Sequence, residues 1–318
     1  MAVFTPVRLD QAQQFFAQLD LGRLLELQGI ESGIENSNFF ATTTQGAFVL
    51  TLFERLQPEQ LPFYLEFMRH LAAHGIPVPD PMPDAQGHIL HRLCGRPAAV
   101  VTRLRGRSVL QPEAAHCAQV GHWLARMHLA AQDYPGTQPN LRGLAWQRST
   151  IPAILPFLDA DQGALLSAEL AHQIRIAQSG EFAALPRSAV HADLFRDNAL
   201  FEGGELSGIF DFYFAGVDTW VFDLAVTLND WCIRPDSGAF DPVRRDALLH
   251  AYAQVRPLLP VERALLPDAL RAAALRFWTS RLADFYLPRD AHLLTPHDPT
   301  HFEHVLRRRI ADPLQLAA

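Results

Sequence analysis

The carboxylates of Asp193 and Asp211 and the amide of Asn198 lie close together in the sequence, which reads HADLFRDN over 191–198 and GIFDFYFA over 208–215. Transfer of a phosphoryl group from ATP needs a carboxylate that accepts the proton of the attacking hydroxyl, and oxygen ligands for Mg²⁺. Mg²⁺ prefers hard oxygen ligands, which Asp and Asn supply. The pattern therefore predicts Asp193 as a catalytic base and Asn198 and Asp211 as metal ligands.

A predicted hairpin explains how these three side chains meet. Residues 198–201 and 206–210 have strand patterns and flank the turn sequence EGGE. Antiparallel strands joined by a tight turn return the chain beside its start. We therefore expect Asp211 to lie near Asn198, in the same small volume as Asp193.

The HxD sequence alone has another interpretation, because Asp is a favoured residue at helix caps. Here Asn198 follows Asp193 by five residues, and Asp211 follows Asn198 by 13. Three suitable side chains at these spacings favour phosphoryl transfer over simple capping.

Composition limits the classes of protein that need to be considered. The 318 residues are 49% hydrophobic and 19% charged, which is typical of a globular protein with a large core. The net charge of −7 and the scattered basic residues argue against a nucleic-acid partner. Arg8 and Asp10 interrupt any signal peptide, and no apolar run is long enough to cross a bilayer. We expect a cytoplasmic protein with no membrane partner.

Periodicity divides the chain into two predicted domains. Residues 1–103 have aromatic and β-branched strand patterns and one helix, LPFYLEFMRHLAAHG, which ends at Gly75. Residues 104–318 are mainly amphipathic helix, interrupted by the β signals around residues 190–212. The sequence predicts an α+β fold with a small antiparallel β-sheet lobe that binds nucleotide and a larger, mostly helical lobe that holds the catalytic loop, metal site and substrate pocket.

The motifs resemble those of a known group of kinases. HADLFRDN followed by a hairpin and IFDF is similar to the catalytic loop and metal-binding segment of the aminoglycoside phosphotransferase and choline kinase group, within the protein-kinase-like fold. VGHWLARMHLA and VDTWVFDLAVTLND resemble further elements of that group. The resemblance covers most of the chain and implies ATP and Mg²⁺.

A narrower resemblance points to one branch of this group. GIESGIENSNFF, FVLTLFER and DLAVTLNDWC, together with the catalytic motifs, resemble the bacterial homoserine kinases of the phosphotransferase-like type. This resemblance implies ATP-dependent phosphorylation of the side-chain hydroxyl of L-homoserine, a step in threonine biosynthesis.

The resemblance also implies where the nucleotide binds. GIESGIENSNF falls where kinases place a phosphate-binding loop, and VVTRLRG falls where they place the hinge that binds adenine through backbone groups. Thr51 stands where most relatives carry a phosphate-binding lysine, whose charge a threonine cannot supply. The expected nucleotide contacts are Ser32, Gly33, Asn36, Ser37, Thr51, Thr102, Arg103 and Leu104.

Homoserine carries an ammonium and a carboxylate, and both need charged or hydrogen-bonding partners. The candidates, chosen by position, are Arg196, Tyr213, Asp230 and Trp231. A core position is the alternative for Trp231. His191 and Asp223 are expected to support the catalytic loop.

Two other functions remain open at this point. A kinase of aminoglycosides, choline or another amino alcohol would use the same motifs. A pseudokinase-like binding module would account for the missing lysine at Thr51, although Asp193, Asn198 and Asp211 are all present.

Overall fold

The computed structural model of this chain describes residues 4–30, 36–287 and 297–316. Its contacts divide the chain into two units. Unit 1 comprises Met1–Gly106 and Ser207–Phe210, and unit 2 comprises Arg107–Leu206 and Asp211–Ala318.

Unit 1 contains an antiparallel sheet of five strands with two helices. The helices are α1 (Leu9–Gln18) and α2 (Leu61–Ala73), and the strands are β1 (Leu24–Gly29), β2 (Asn36–Thr43), β3 (Ala47–Phe53), β4 (His91–Leu93) and β5 (Arg96–Thr102). The strand order is β1-β2-β3-β5-β4. Phe39 of β2, Leu50 of β3 and Val100 of β5 pack with Phe15 and Phe16 of α1 in one apolar cluster. The predicted sheet is present, whereas α1 was not predicted.

The predicted helix of unit 1 corresponds to α2. Leu61, Leu65, Met68 and Leu71 are all buried, as their helical spacing predicts. The helix ends before Gly75, which has φ of 72° and so adopts the left-handed conformation that favours glycine.

Unit 2 is mostly helical. Its helices are α3 (Ala114–Ala130), α4 (Leu144–Ile154), α5 (Ala160–Ala177), α6 (Gly180–Ala183), α7 (Trp220–Trp231), α8 (Pro242–Val255), α9 (Pro260–Tyr286) and α10 (Thr300–Ala311). Its short strand β6 (Arg187–Val190) pairs with β9 (Gly216–Thr219). The predicted α+β class is confirmed.

Helix α9 begins at Pro260, whereas Pro267 lies inside the helix. The carboxylate of Glu262 accepts a hydrogen bond from the backbone N–H of Leu259 at 2.9 Å and so caps the start.

The hairpin that joins the two parts of the predicted site consists of β7 (Ala199–Glu202) and β8 (Glu205–Ile209). Its turn residues Gly203 and Gly204 have φ of 60° and 89°. Such angles at both central positions are typical of the tight turns that match strand twist. Within the described ranges, no helix combines the length and apolar character needed to cross a membrane.

Candidate active site

The segment HADLFRDN forms a loop between β6 and β7. It leaves β6 through Ala192, whose φ of 61° lies in the left-handed region. The backbone N–H of Asp193 lies 3.2 Å from Nδ1 of His191. The backbone carbonyl of Asp193 accepts a hydrogen bond from the N–H of Phe195 at 2.8 Å. A 3-10 turn over Arg196–Asn198 ends the loop. These local bonds hold Asp193 in one orientation.

Asp193 is partly buried and contacts the guanidinium of Arg276. Its side chain is 15% exposed, and its Oδ1 is 3.4 Å from Nη1 of Arg276 on α9. Burial raises the pKa of Asp193 to about 8. The positive charge of Arg276 opposes this shift, while the negative charges of Asp211 and Asp197 add to it. The raised pKa is characteristic of a carboxyl group whose protonation state is sensitive to nearby cations.

The predicted metal ligands lie close to Asp193. Nδ2 of Asn198 donates to the backbone carbonyl of Asp193 at 2.8 Å and is 3.5 Å from its Oδ2. Asp211 follows β8 with φ of 65° and ψ of 60°, and its charge acts on Asp193. Because the amide of Asn198 donates through Nδ2, its Oδ1 is not used in this hydrogen bond. The carboxylate of Asp211 and Oδ1 of Asn198 form a donor set of hard oxygens that fits Mg²⁺.

Asp223 on α7 supports this loop from within the core and is completely buried. Its carboxylate accepts hydrogen bonds from the backbone N–H groups of His191 at 3.2 Å and Ala192 at 2.7 Å. His128 on α3 also lies 3.1 Å from this carboxylate, through Nε2. A carboxylate only accepts, so Nε2 of His128 is the donor in that pair. Its Nδ1 lies 2.7 Å from the hydroxyl of Tyr252.

Two of the four predicted substrate residues bind each other. Nε and Nη2 of Arg196 donate to the two carboxylate oxygens of Asp230 at 3.0 and 3.1 Å. The backbone N–H of Arg196 donates to the same carboxylate at 2.8 Å. This bidentate pair neutralises the charge that each residue was predicted to offer to a substrate. The pair also ties the catalytic loop to α7.

The other two predicted substrate residues differ in their surroundings. Trp231 is completely buried, and its indole N–H donates to the carbonyl of Leu194 at 3.0 Å. This placement favours the core position that the sequence left open for Trp231. Tyr213 lies in the 3-10 turn Phe212–Phe214, directly after Asp211.

The predicted phosphate-binding positions belong to unit 1. Ser32 and Gly33 lie outside the described residues. Asn36 is 7% exposed, and among the described residues its buried Oδ1 has no hydrogen-bond partner. An unsatisfied buried amide is costly, which is consistent with a polar ligand at this position.

Ser37 and Thr51 are already engaged within unit 1. The hydroxyl of Ser37 accepts from the backbone N–H groups of Phe4 and Thr5 at 2.8 and 2.9 Å and donates to Glu54 at 2.6 Å. These bonds favour a structural role for Ser37. The hydroxyl of Thr51 donates to the side chain of Asn38 at 2.8 Å. The chain contains no lysine at all, so its 27 basic residues are arginines.

The predicted hinge window spans the end of β5. The N–H of Thr102 donates to the carbonyl of Asp80 at 2.9 Å, and the N–H of Arg103 donates to the carbonyl of Ala47 at 3.1 Å. The guanidinium of Arg103 lies 3.8 Å from the ring centre of Phe40. The backbone N–H groups of Thr102 and Arg103 are therefore both used within unit 1.

Sequence reasoning missed Arg276, which is 83 residues from Asp193 in sequence. The available signal was an arginine in the apolar run AAALRFW. A buried guanidinium needs a partner, so an arginine on the apolar face of a helix indicates a charged site. The identity of that partner could not be obtained from the sequence.

Comparison with known proteins identifies the family. The profile of the phosphotransferase enzyme family (APH) matches residues 26–258. The chain belongs to this family.

Curated relatives give a closer match. A homoserine kinase of Polaromonas naphthalenivorans is 59% identical over 316 residues, which cover 99% of this chain and 100% of the relative. A homoserine kinase of Paraburkholderia phytofirmans is 57% identical, with coverages of 98% and 96%.

The fold of a solved amicoumacin kinase, in complex with AMP-PNP, is similar to this one with a TM-score of 0.71. The two sequences are 16% identical, and the match covers 98% of this chain and 96% of that one. The predicted protein-kinase-like fold is confirmed.

Proposed function

We propose that this chain transfers the γ-phosphoryl group of ATP to the side-chain hydroxyl of L-homoserine and forms O-phospho-L-homoserine, a step in threonine biosynthesis. The observation that carries the proposal is the partly buried carboxylate of Asp193 beside Asn198 and Asp211, in a chain 59% identical over its length to a homoserine kinase. The cytoplasmic location stays a prediction.

Asp193 is the proposed general base. Its carboxylate orients the substrate hydroxyl and accepts its proton as the hydroxyl oxygen bonds to the γ-phosphorus. The bond between the γ-phosphorus and the bridging oxygen breaks, and ADP leaves with that electron pair. Arg276 keeps positive charge next to the base, which favours the ionised form that this role requires.

Asn198 and Asp211 are the proposed ligands of Mg²⁺. When bound there, Mg²⁺ would neutralise charge on the ATP phosphates. The hydrogen bond from Nδ2 of Asn198 to the backbone of Asp193 fixes the amide, so its oxygen has a defined direction. A rigid ligand set costs little ordering entropy when the metal arrives.

The nucleotide contacts are proposed for unit 1. We assign the phosphates to the segment that includes Ser32, Gly33 and Asn36, and adenine to the window around Leu104. Thr51 cannot replace the charge of a lysine. Since the chain has no lysine, a side-chain cation that contacts the phosphates is an arginine or a protonated histidine.

The acceptor specificity tests the proposal directly. L-homoserine, 4-hydroxybutyrate, 3-aminopropanol, choline and kanamycin are compared at matched concentration with Mg-ATP by coupled ADP release. We expect efficient turnover of L-homoserine alone, because a site that pairs two charged groups rejects analogues lacking either by about ten-thousandfold or more. Comparable rates with 3-aminopropanol or kanamycin would assign the chain to another small-molecule kinase, and no turnover with any acceptor would indicate a pseudokinase-like module.

A further inference from the structure

Arg276 has more hydrogen-bonding capacity than its surroundings use. The residue is 2% exposed, and its contact with Asp193 is long, at 3.4 Å. Charge-assisted hydrogen bonds normally have lengths of about 2.7–2.9 Å. Among the described residues, the buried Nε of Arg276 has no hydrogen-bond partner. A guanidinium offers five N–H donors, so this one can accommodate a second anion.

A second unsatisfied group lies one helical turn away. Thr279 is completely buried, and its hydroxyl also has no partner among the described residues. Residues three apart lie on the same face of a helix, so Arg276 and Thr279 face the same side of α9. One cation and one hydroxyl donor next to each other match the needs of a carboxylate.

Aromatic rings hold the guanidinium in place. Its central carbon lies 3.8 Å from the ring centre of Phe277 and 5.2 Å from that of Phe214. Stacked rings cover the faces of a guanidinium and leave its N–H edge available to a ligand. Burial lowers the pKa of Arg276 to about 10, so the group remains charged at neutral pH.

The arginine that the sequence suggested for this role is already occupied. Arg196 donates two side-chain hydrogen bonds to Asp230 and a third to the carbonyl of Leu110 at 3.1 Å. Breaking that bidentate pair to admit a substrate would leave Asp230 without its cation. The contact of Arg276 with the base Asp193 is longer, at 3.4 Å through Nη1, and its Nε has no hydrogen-bond partner among the described residues.

We propose that Arg276, assisted by the hydroxyl of Thr279, binds the carboxylate of the acceptor and selects a hydroxy amino acid over an amino alcohol. The inference rests on the proposed function. The hydroxyl and carboxylate of L-homoserine lie at opposite ends of a four-carbon chain. A molecule whose carboxylate is bound at Arg276 can therefore place its hydroxyl, at the other end of the chain, near the neighbouring base Asp193.

The test uses calorimetric titration of the full chain without ATP, so that no turnover occurs. Three ligands are compared: L-homoserine, L-2-aminobutyrate, which lacks the hydroxyl, and 3-aminopropanol, which lacks the carboxylate. The variants are Arg276→Met, Arg276→Lys and Thr279→Val, and Arg263→Met serves as the matched control, because Arg263 is an exposed arginine of the same helix. Thermal unfolding confirms that each variant is folded.

We expect Arg276→Met to weaken L-homoserine and L-2-aminobutyrate equally, by about 10- to 150-fold, as is typical for hydrogen bonds to charged groups. Binding of 3-aminopropanol should not change. Thr279→Val, which is nearly isosteric, should weaken the two carboxylates by about twofold to tenfold. Arg276→Lys should lie between wild type and Arg276→Met, because lysine keeps the charge but loses the fork geometry.

Two results would overturn the inference. If Arg276 only positions Asp193, its substitution will weaken the two hydroxyl ligands and leave L-2-aminobutyrate unchanged. If all variants bind the two carboxylates as the wild type does, neither residue contacts the carboxylate. A wild-type protein that binds no L-homoserine would instead refute the proposed function, so the two failures are distinguishable.

Discussion

The carboxylate of Asp223 accepts a hydrogen bond from the backbone N–H of Ala192 at 2.7 Å, at the residue where the catalytic loop adopts a left-handed conformation. Such a conformation costs a non-glycine residue about 1–2 kcal/mol. A charged acceptor buried opposite the amide offsets this cost. The geometry of the loop thus depends on a side chain from another helix.

Replacing Asp223 should therefore affect both stability and turnover. Asp223→Asn leaves an amide N–H group facing two N–H donors, and we expect the free energy of unfolding to fall by about 1–3 kcal/mol. Denaturant unfolding and steady-state kinetics measure the two effects. Asp246→Asn, an exposed acid on α8, is the control and should change stability by less than about 0.5 kcal/mol. A stable, fully active Asp223→Asn protein would contradict the supporting role.

The proposed base gives a separate prediction. Asp193→Asn should lower turnover by about a hundredfold to ten-thousandfold, the usual contribution of a general base. Affinity for ATP should be nearly unchanged, since the base acts on the acceptor. Asp197→Asn makes the same chemical change at an exposed position of the same loop and should retain most activity. If Asp193→Asn kept more than about a tenth of the wild-type turnover, another group would be the base.

The metal ligands should differ in their effects. Asp211→Ala removes a charged ligand and should abolish Mg²⁺-dependent binding of ATP, whereas Asn198→Ala removes a neutral ligand and should weaken it less. Titration of ATP against each variant at several Mg²⁺ concentrations measures the order. Glu202→Ala, on the exposed hairpin, is the control. Undiminished affinity in both variants would refute the proposed metal site.

Close packing between α3 and α8 gives a prediction about stability alone. A Cβ atom on Gly121 would lie 2.2 Å from the carbonyl oxygen of Leu248. Gly121→Ala should therefore lower the free energy of unfolding by about 1–3 kcal/mol, as overpacking does. Gly163→Ala is the matched helical control, because its Cβ would meet only Leu155 at an ordinary 3.7 Å. We expect that change to be stabilising by about 0.5–1 kcal/mol, and equal melting temperatures for both variants would contradict the packing argument.

Local signals in the sequence predicted some elements well. The hairpin could be predicted because Gly203 and Gly204 are local turn residues between two strand patterns. The spacing of leucines in α2 similarly predicted its buried face.

Long-range electrostatic pairs could not be predicted from the sequence. Asp230 and Arg196 were each expected to meet a substrate, but they are 34 residues apart and bind each other. Arg276 and Asp193 are 83 residues apart in the sequence, yet their side chains are in contact. Periodicity and motif spacing describe neighbours along the chain, whereas the choice of a charge partner depends on the tertiary fold.

The hydroxyl of Ser37 accepts hydrogen bonds from the amides of both Phe4 and Thr5, so opening of β2 at this residue releases those two amides together. Their rates of hydrogen–deuterium exchange therefore depend on the same local opening. Ser37 directly follows the segment assigned to phosphate binding. Mass spectrometry of an N-terminal peptide thus reports on opening of β2 at Ser37, and we expect slower exchange at both amides when ATP contacts the neighbouring Asn36.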